Sequence, residues 1–532
     1  MNPKENNSKE YNFKEYNGKE TDLQQWKEDY QEFVRATSLF YKGEMDAKTY
    51  KGISGGFGSY AQKGGKASML RLRLPGGRID KEKLSFIADV IDRCHVDLVH
   101  FTTCQTVQLH NLQEDTVCAV AIEALSHGIL TRGGGGDFPR NVMVSPLAGV
   151  EQKEYFDVLP WAMAASRYLT GLIKGPRLPR KLKVGFSNTP DNVTHATFRD
   201  LGFTARPDGT FDVYSAGGLG NKPRFGVKVA EGVKPEQILY YIKAMYQTFL
   251  AHGNYENRAK ARSRYMQESL GGPEQYRAAY LEKLKEVCAS GESLELSIKP
   301  EEITKSGDGS EIHNPRVIPQ KQPGLYSVLY HPPGGCPAPG FFRRIHETVR
   351  DMDQVELRLS PDESLYIINC TAGEAGKALE ATSDSAATSF GMSVACIGAS
   401  ICQQGVGDSQ QLLKMLLKME QEEAFLDGVL PQVHISGCPS SCGTHQTGLI
   451  GFHGGVKVVE KVPVPAFTVH YNGSDTQGQE RMGEQLGTML AEQIPEFLRL
   501  LGQAVHGSGM DFDQWIQRNP DGLKKIAATF IV

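Results

Sequence analysis

The strongest constraint on this chain is that it repeats itself. Pro75-Gly76-Gly77 recurs as Pro333-Gly334-Gly335, 258 residues later. At that offset, without gaps, Leu84, Ile87 and Ile91 correspond to Phe342, Ile345 and Val349, apolar positions at helical spacing. Val99 and Phe101 correspond to Leu357 and Leu359, and Val107 and Leu109 to Leu365 and Ile367, with the two-residue period of a strand. Each half therefore reads as Pro-Gly-Gly turn, helix, strand, turn, strand. Phe211-Asp212-Val213-Tyr214 is echoed by Phe467-Thr468-Val469-His470 at an offset of 256. Two nearly equal offsets describe a duplicated unit of about half the chain, not a short solenoid repeat. A duplicated α+β chain offers one natural place for a site, the interface between its halves.

Composition narrows the function. Lys and Arg number 58 against 62 Asp and Glu, a net charge of −4, which argues against a polybasic nucleic-acid binder. There is no apolar run of membrane-spanning length. The N-terminal MNPKENNSKEYNFKEYNGKE lacks the apolar core of a secretory signal, so the expected compartment is the cytoplasm. Ten cysteines there are expected to be reduced, as ligands or buried thiols. The first 20 residues, with Lys-Glu-Tyr-Asn twice, read as a disordered arm. An amphipathic stretch covers about 22–48, and the globular body is expected to begin near Gly52.

Two cysteine pairs stand out. Cys396 and Cys402 enclose five residues in CIGASIC, and Cys438 and Cys442 enclose three in GCPSSCG. No C-x-x-C occurs, so the common zinc-ribbon and thioredoxin spacings are absent. Val433–Ile435 reads as a strand running into Gly437 and Pro439. After Cys402, a helix is expected near Asp408, with Asp408 and Gln411 at capping-box spacing and Leu412, Leu413, Leu416 and Met419 on its core face. Four thiolates on loops suit zinc or an iron–sulfur cluster. A basic run, KGPRLPRKLK at 174–183, carries five cations and no acid. Lys181 and Lys183 share one face of an extended segment, as do Arg71 and Arg73.

C-x5-C followed by GC-x3-CG resembles the cluster signature of the siroheme-containing sulfite and nitrite reductases. MLRLRLPGG (69–77), TTCQTVQLH (102–110), GGGGDFPRNV (133–142) and LPRKLK (178–183) carry the same resemblance, which spans about residues 50–530. The resemblance implies siroheme and a [4Fe–4S] cluster, with Cys396, Cys402, Cys438 and Cys442 as cluster ligands. Cys442 would also supply the thiolate shared with the siroheme iron. It implies Arg73, Arg140, Lys181 and Lys183 as anion binders and proton donors, and Arg71, Gln108 and His110 on the cofactor side. Lys183 and the Gln108-x-His110 pair point to the sulfite branch, in which sulfite takes up six electrons to become sulfide. Reduction of nitrite to ammonia is the alternative. The expected donor is external, ferredoxin or a flavoprotein subunit, because the chain shows no G-x-G-x-x-G, Walker-A or flavin segment. No nucleic-acid partner and no membrane span are expected.

One departure is clear. The family usually reads T-x-R-Q where this chain has Thr102-Thr103-Cys104-Gln105. The loss of one charge-assisted hydrogen bond to a siroheme carboxylate costs about 1.5–3 kcal/mol, modest against the remaining contacts. The expected fold is α+β, an internally duplicated, pseudo-two-fold chain. Ferredoxin-like repeats would pair in one domain, with two further α/β domains and the cofactors at the interface. The expected segments are an arm at 1–48, ferredoxin-like half-domains at 49–125 and 322–388, a siroheme- and anion-binding domain at 126–321, and a cluster domain at 389–532. A rival of a different class is a non-catalytic protein stabilised by a structural metal on the four paired cysteines.

Overall fold

Both Pro-Gly-Gly segments form the same turn, because glycine alone enters the left-handed region without penalty. Gly76 and Gly77 have φ of 64° and 70°, and Gly334 and Gly335 have 60° and 68°. This is seen in a computed structural model, which describes residues 20–532. All but the last residue of the segment read as a disordered arm lies outside the described residues.

The chain folds around four sheets. The first has the order β1 (Ser59–Ala61), β2 (Ser68–Arg73), β5 (Thr106–Leu112), β4 (Val99–Phe101). Its counterpart is β11 (Val317–Pro319), β12 (Tyr326–Tyr330), β14 (Leu365–Cys370), β13 (Glu356–Leu359). The short β3 (Arg78–Ile79) leaves its own half and pairs antiparallel with β13, Ile79 opposite Leu357. These two half-domains share one continuous core, in which Leu72, Ile87 and Phe101 lie with Val328, Ile345 and Leu359. The helices Lys81–Arg93 and Phe341–Val349 stand at the positions the repeat implied.

The halves clasp each other reciprocally. A Cβ on Gly77 would lie 2.5 Å from the Leu359 carbonyl oxygen, and one on Gly335 would lie 3.1 Å from that of Phe101. Leu359 and Phe101 are themselves partners in the repeat. Gly77→Ala therefore combines a left-handed backbone with a backbone clash, and is expected to cost about 1–3 kcal/mol. A lowered thermal unfolding temperature with unchanged spectra checks it.

The other two sheets are also copies. In one, β6 (Met143–Val144), β7 (Val184–Ser187) and β8 (Leu201–Ala205) run parallel, and β9 (Phe211–Ser215) and β10 (Val227–Val233) continue antiparallel. In the other, β15 (Val394–Ala395), β16 (Val433–Ser436) and β17 (Ile450–Val459) run parallel, followed by antiparallel β18 (Val462–Tyr471) and β19 (Glu484–Leu490). Each has its own core. The echo of Phe211–Tyr214 in Phe467–His470 is thus β9 against β18.

The globular body starts earlier than Gly52. The helix Glu20–Tyr41 buries Trp26, Tyr30 and Phe33 in the shared core. The Tyr30 hydroxyl lies 2.8 Å from Thr131 Oγ1 and accepts from the Arg132 amide at 3.0 Å. The polar face of this helix hides its apolar stripe from a composition reading. Among the described residues, no helix is long and apolar enough to cross a membrane.

Candidate active site

The cysteine loops leave the same end of two adjacent parallel strands. Val394 lies opposite His434 and Ala395 opposite Ile435, so Cys396 emerges from β15 beside Gly437, which follows β16. The Cys396 amide donates to the Ile435 carbonyl at 3.1 Å. The Gly437 amide donates to Cys396 Sγ at 3.1 Å and the Gln404 amide to Cys402 Sγ at 3.4 Å. Asp408 caps the helix Ser409–Glu423 by accepting from the Gln411 amide, and Leu412, Leu413, Leu416 and Met419 are buried on its inner face. Ser409 then donates to the Cys396 carbonyl at 2.6 Å. Burial, with Cys442 nearby, pushes the Cys396 thiol up to about 12. Such a thiol loses its proton to solvent at neutral pH only when a metal cation takes the proton's place on sulfur.

The spacing of the thiols discriminates between metal centres. Tetrahedral zinc draws four sulfurs to about 3.8 Å from one another, given Zn–S bonds of about 2.3 Å. Among the described residues, the one group of three or more such ligand atoms within 4.8 Å of each other is His445, His453 and His470, not the cysteines. Cys396, Cys402 and Cys438 nonetheless all bear electrostatically on Cys442. No three of these thiols come within 4.8 Å of one another, a wider spacing than one tetrahedral ion takes and in keeping with a polynuclear cluster.

The cations face this centre from the other half of the molecule. Arg71 and Arg73 lie on β2, where Arg71 is opposite Gln108 and Arg73 opposite Thr106. Lys181 and Lys183 flank Leu182 in extended backbone bridged to Pro139. Carbonyls of the glycine-rich loop hold the guanidinium groups. Gly134 O accepts from Arg71 Nη1 at 2.6 Å and from Arg140 Nη1 at 2.8 Å, Gly136 O from Arg140 Nη2 at 2.9 Å, and Arg132 O from Arg73 Nη1 at 2.7 Å. That gives the Arg132–Gly136 run a role its sequence did not disclose. Burial, then Lys183, Arg262 and Arg140, pull Lys181 well below its ordinary value. Burial also lowers Lys183, and Cys104 opposes it. Burial lowers Arg140 to about 10, still cationic at neutral pH. The Cys442 side chain is exposed; desolvation nonetheless raises its thiol and Lys181 and Lys183 pull it back, which places the lysines and the cysteine loop at one recess.

Gln108 and His110 extend the network away from the cations. Oriented so that its oxygen accepts from Arg71 Nη2 at 2.6 Å, the Gln108 amide donates to His110 Nε2 at 3.2 Å. Burial, reinforced by His100 and Arg71, lowers His110 to about 3, so it is neutral. Gln105 locks the loop that follows β4. Its Nε2 donates to Val144 O at 2.8 Å and to Leu359 O at 2.6 Å, tying both ferredoxin-like halves to the sheet of β6 through one side chain.

Cys104 sits among cations. Burial alone would raise its thiol, but Lys183, Arg199 and Lys181 overcome this and bring it down to about 6. Sequence reasoning missed Arg199, Arg262 and Arg264. Their isolated positions carried no pattern, and only the loops after β7 and around Ser263 bring them in. Asp200 is the counter-charge. It is fully buried, 3.1 Å from Arg262, and accepts from the Lys183 amide at 2.8 Å. Arg140 Nε, Arg262 Nε and Arg264 Nη1 are buried without a hydrogen-bond partner. This surplus of buried positive charge and unused donors fits a polyanionic ligand.

The duplication supplies a built-in comparison. Thr189 and Val193 follow β7 where Cys438 and Cys442 follow β16, and Gln432 precedes β16 where Lys183 precedes β7. A cavity of about 730 Å³ occupies this counterpart position. It is lined by Thr189, Val193 and Gln432 and by the acids Glu151, Asp362 and Asp475. Its lining offers neither thiols nor a cationic wall, so the two copies of the interface present different groups.

Comparison with known proteins agrees with this geometry. Residues 60–126 match the nitrite/sulfite reductase ferredoxin-like half domain, and residues 135–287 the nitrite and sulphite reductase 4Fe-4S domain. The second match falls on the copy without the cysteine pairs. The chain is 26% identical over 459 residues to a ferredoxin–nitrite reductase of Synechococcus elongatus, covering 81% of this chain and 85% of the relative. It is 24% identical over 471 residues to sulfite reductase [ferredoxin] 2 of Mycolicibacterium paratuberculosis, covering 85% and 82%. The solved structure of Mycobacterium tuberculosis NirA superposes with a TM-score of 0.75 over 93% of this chain and 95% of that one, at 22% identity, and so supports the fold.

Proposed function

We propose that this chain, a member of the nitrite and sulfite reductase family, reduces sulfite to sulfide with six electrons delivered by ferredoxin. The cationic recess facing Cys442 carries this reading: it matches a small oxyanion and a carboxylate-rich cofactor in charge. Cys396, Cys402, Cys438 and Cys442 would hold the [4Fe–4S] cluster, with Cys442 shared with siroheme. Arg71, Arg199, Arg262 and Arg264 would meet siroheme carboxylates. The coupled cofactors supply electrons one at a time, which no side chain can do across six.

The protein's own part is binding and protonation. Arg73 and Arg140, pinned by the carbonyls of residues 132–136, would present fixed positive charge to the oxyanion at no reorganisation cost. Lys181 and Lys183 would donate the protons that carry oxygen away as water. Their lowered pKa values suit this, because an ammonium destabilised by its surroundings gives up its proton readily. The ferredoxin donor is supported by the names of the relatives from Synechococcus elongatus and Mycolicibacterium paratuberculosis. Those names divide between nitrite and sulfite, so nitrite is the second reading. The test is kcat/KM for sulfide and for ammonia formation with reduced ferredoxin. The sulfite value is expected to be the larger; a larger nitrite value assigns the chain to ammonia formation, and neither product overturns the proposal.

Cys104 yields a pH prediction. Its thiolate helps keep Lys183 protonated. In Cys104→Ala that support is gone, the Lys183 pKa falls further, and the protonated donor is lost at a lower pH. The alkaline limb of the kcat/KM profile is therefore expected to move to lower pH, with the acidic limb less affected.

A further inference from the structure

Three imidazoles meet on one face of the β17–β18 hairpin, on the far side of the Cys438–Cys442 loop's return. His453 on β17 lies opposite Thr468, and His470 on β18 lies opposite Gly451. His453 and His470 are thus diagonal neighbours on the same face. His453 Nδ1 is 2.9 Å from His470 Nε2. The third ring comes from the loop, three residues after Cys442. Gly451 makes room for it: a Cβ there would lie 1.9 Å from the His445 carbonyl oxygen. The ring centroids of His445 lie 4.9 Å from His453 and 4.7 Å from His470.

We propose that His445, His453 and His470 form a binding site for a divalent late transition-metal ion, with zinc as its occupant, separate from the cysteine centre. One ligand nitrogen from each ring falls within 4.8 Å of the other two. Tetrahedral zinc with three imidazoles needs these nitrogens about 3.3 Å apart, given Zn–N bonds of about 2.0 Å. Small ring rotations cover the difference. Both nitrogens of His445 and Nδ1 of His470 are buried without a hydrogen-bond partner. His445 is 1% and His470 2% exposed. A core that encloses an imidazole with both nitrogens unsatisfied lacks the partner that such groups almost always have. A metal ion is the partner to which three converging imidazole lone pairs donate. His453 is half-buried, so the fourth position would open toward it and take water.

The other copy shows that the backbone does not require histidine here. Gly202 stands under the Ala196 carbonyl, a Cβ there lying 1.8 Å away, just as Gly451 stands under that of His445. Gly202 is opposite Tyr214, as Gly451 is opposite His470. Two residues beyond Gly202 comes Thr204, as His453 comes two beyond Gly451. The same loop and hairpin therefore carry Ala196, Thr204 and Tyr214 in one copy and three metal-ligand side chains in the other. All three replacements favour one chemistry.

The test uses cofactor-loaded enzyme equilibrated with buffered micromolar Zn²⁺ and then desalted. About one zinc per chain is expected in addition to the iron, with zinc K-edge absorption showing nitrogen neighbours at about 2.0 Å, imidazole scattering and no sulfur. His453→Ala and His470→Gln are expected to lower zinc retention at least about tenfold while iron content and the visible spectrum stay unchanged. Absence of retained zinc in the wild-type enzyme, sulfur at about 2.3 Å, or undiminished zinc in either variant overturns the proposal. The absorption spectrum of the wild-type enzyme decides the matter even if a variant fails to fold.

Discussion

Cys438→Ser is expected to strip the cluster from the protein and abolish reduction of both oxyanions. Total iron should fall from about five per chain, four in the cluster and one in siroheme, to one or none. Activity should drop by about 10³-fold or to background, because electrons then have no path to the bound oxyanion. The physical cause lies in the recess itself. No three of its thiols lie within 4.8 Å of one another, and burial keeps Cys396 protonated unless a metal centre replaces the proton. Serine at 438 supplies a poorer ligand on an unchanged loop, since β16 and the Gly437 contacts remain. Iron and acid-labile sulfide quantification, with circular dichroism to show an intact fold, checks the result. Full iron with full activity would remove Cys438 from the ligand set.

Lys181→Met and Lys183→Met should each lower kcat by about 10²–10⁴-fold while leaving iron content and the visible spectrum as in the wild type. Methionine keeps the length and apolar stem of lysine but carries no proton. Lys181 has the larger expected effect. Burial and three neighbouring cations depress it most, so it parts with a proton most easily. The reaction needs the ammonium form, so activity is lost as pH rises through this lowered pKa. In Lys181→Met that alkaline limb should disappear or be replaced by the one set by Lys183. A fall in cofactor content parallel to activity would instead make these lysines cofactor anchors.

The contrast between the two copies accounts for confining the proposed chemistry to one interface. Both copies build the same strand–loop–strand frame, and both bring a loop to the end of their parallel strands. Thr189 and Val193 replace thiols with groups that cannot ligate a cluster, and Gln432 replaces an ammonium with an amide. The duplicated scaffold occurs twice, and a few loop-end positions set its two sides apart in charge and in ligand groups.

What could be read without coordinates was periodic or clustered in the chain. The repeated Pro-Gly-Gly turns, the core positions at helical and strand spacing, the paired cysteines and the 174–183 basic run are local patterns. Each records a short-range requirement, such as a left-handed turn, an apolar face or a soft ligand set. The helix Glu20–Tyr41 was placed outside the body because amphipathic polarity masks burial until a partner surface is known. Arg199, Arg262, Arg264 and Asp200 were invisible because each stands alone in sequence. They meet only where β7, β8 and the Ser263 turn converge. The same holds for the imidazoles of His445, His453 and His470, which strand register and the bare face of Gly451 bring together. Sequence alone determined the duplication and pointed to the family and to the paired cysteines, because neighbouring residues encode these. Tertiary structure alone decided which solitary charges share a desolvated recess, because electrostatic coupling depends on distance through space, and the chain path that sets this distance is fixed by packing.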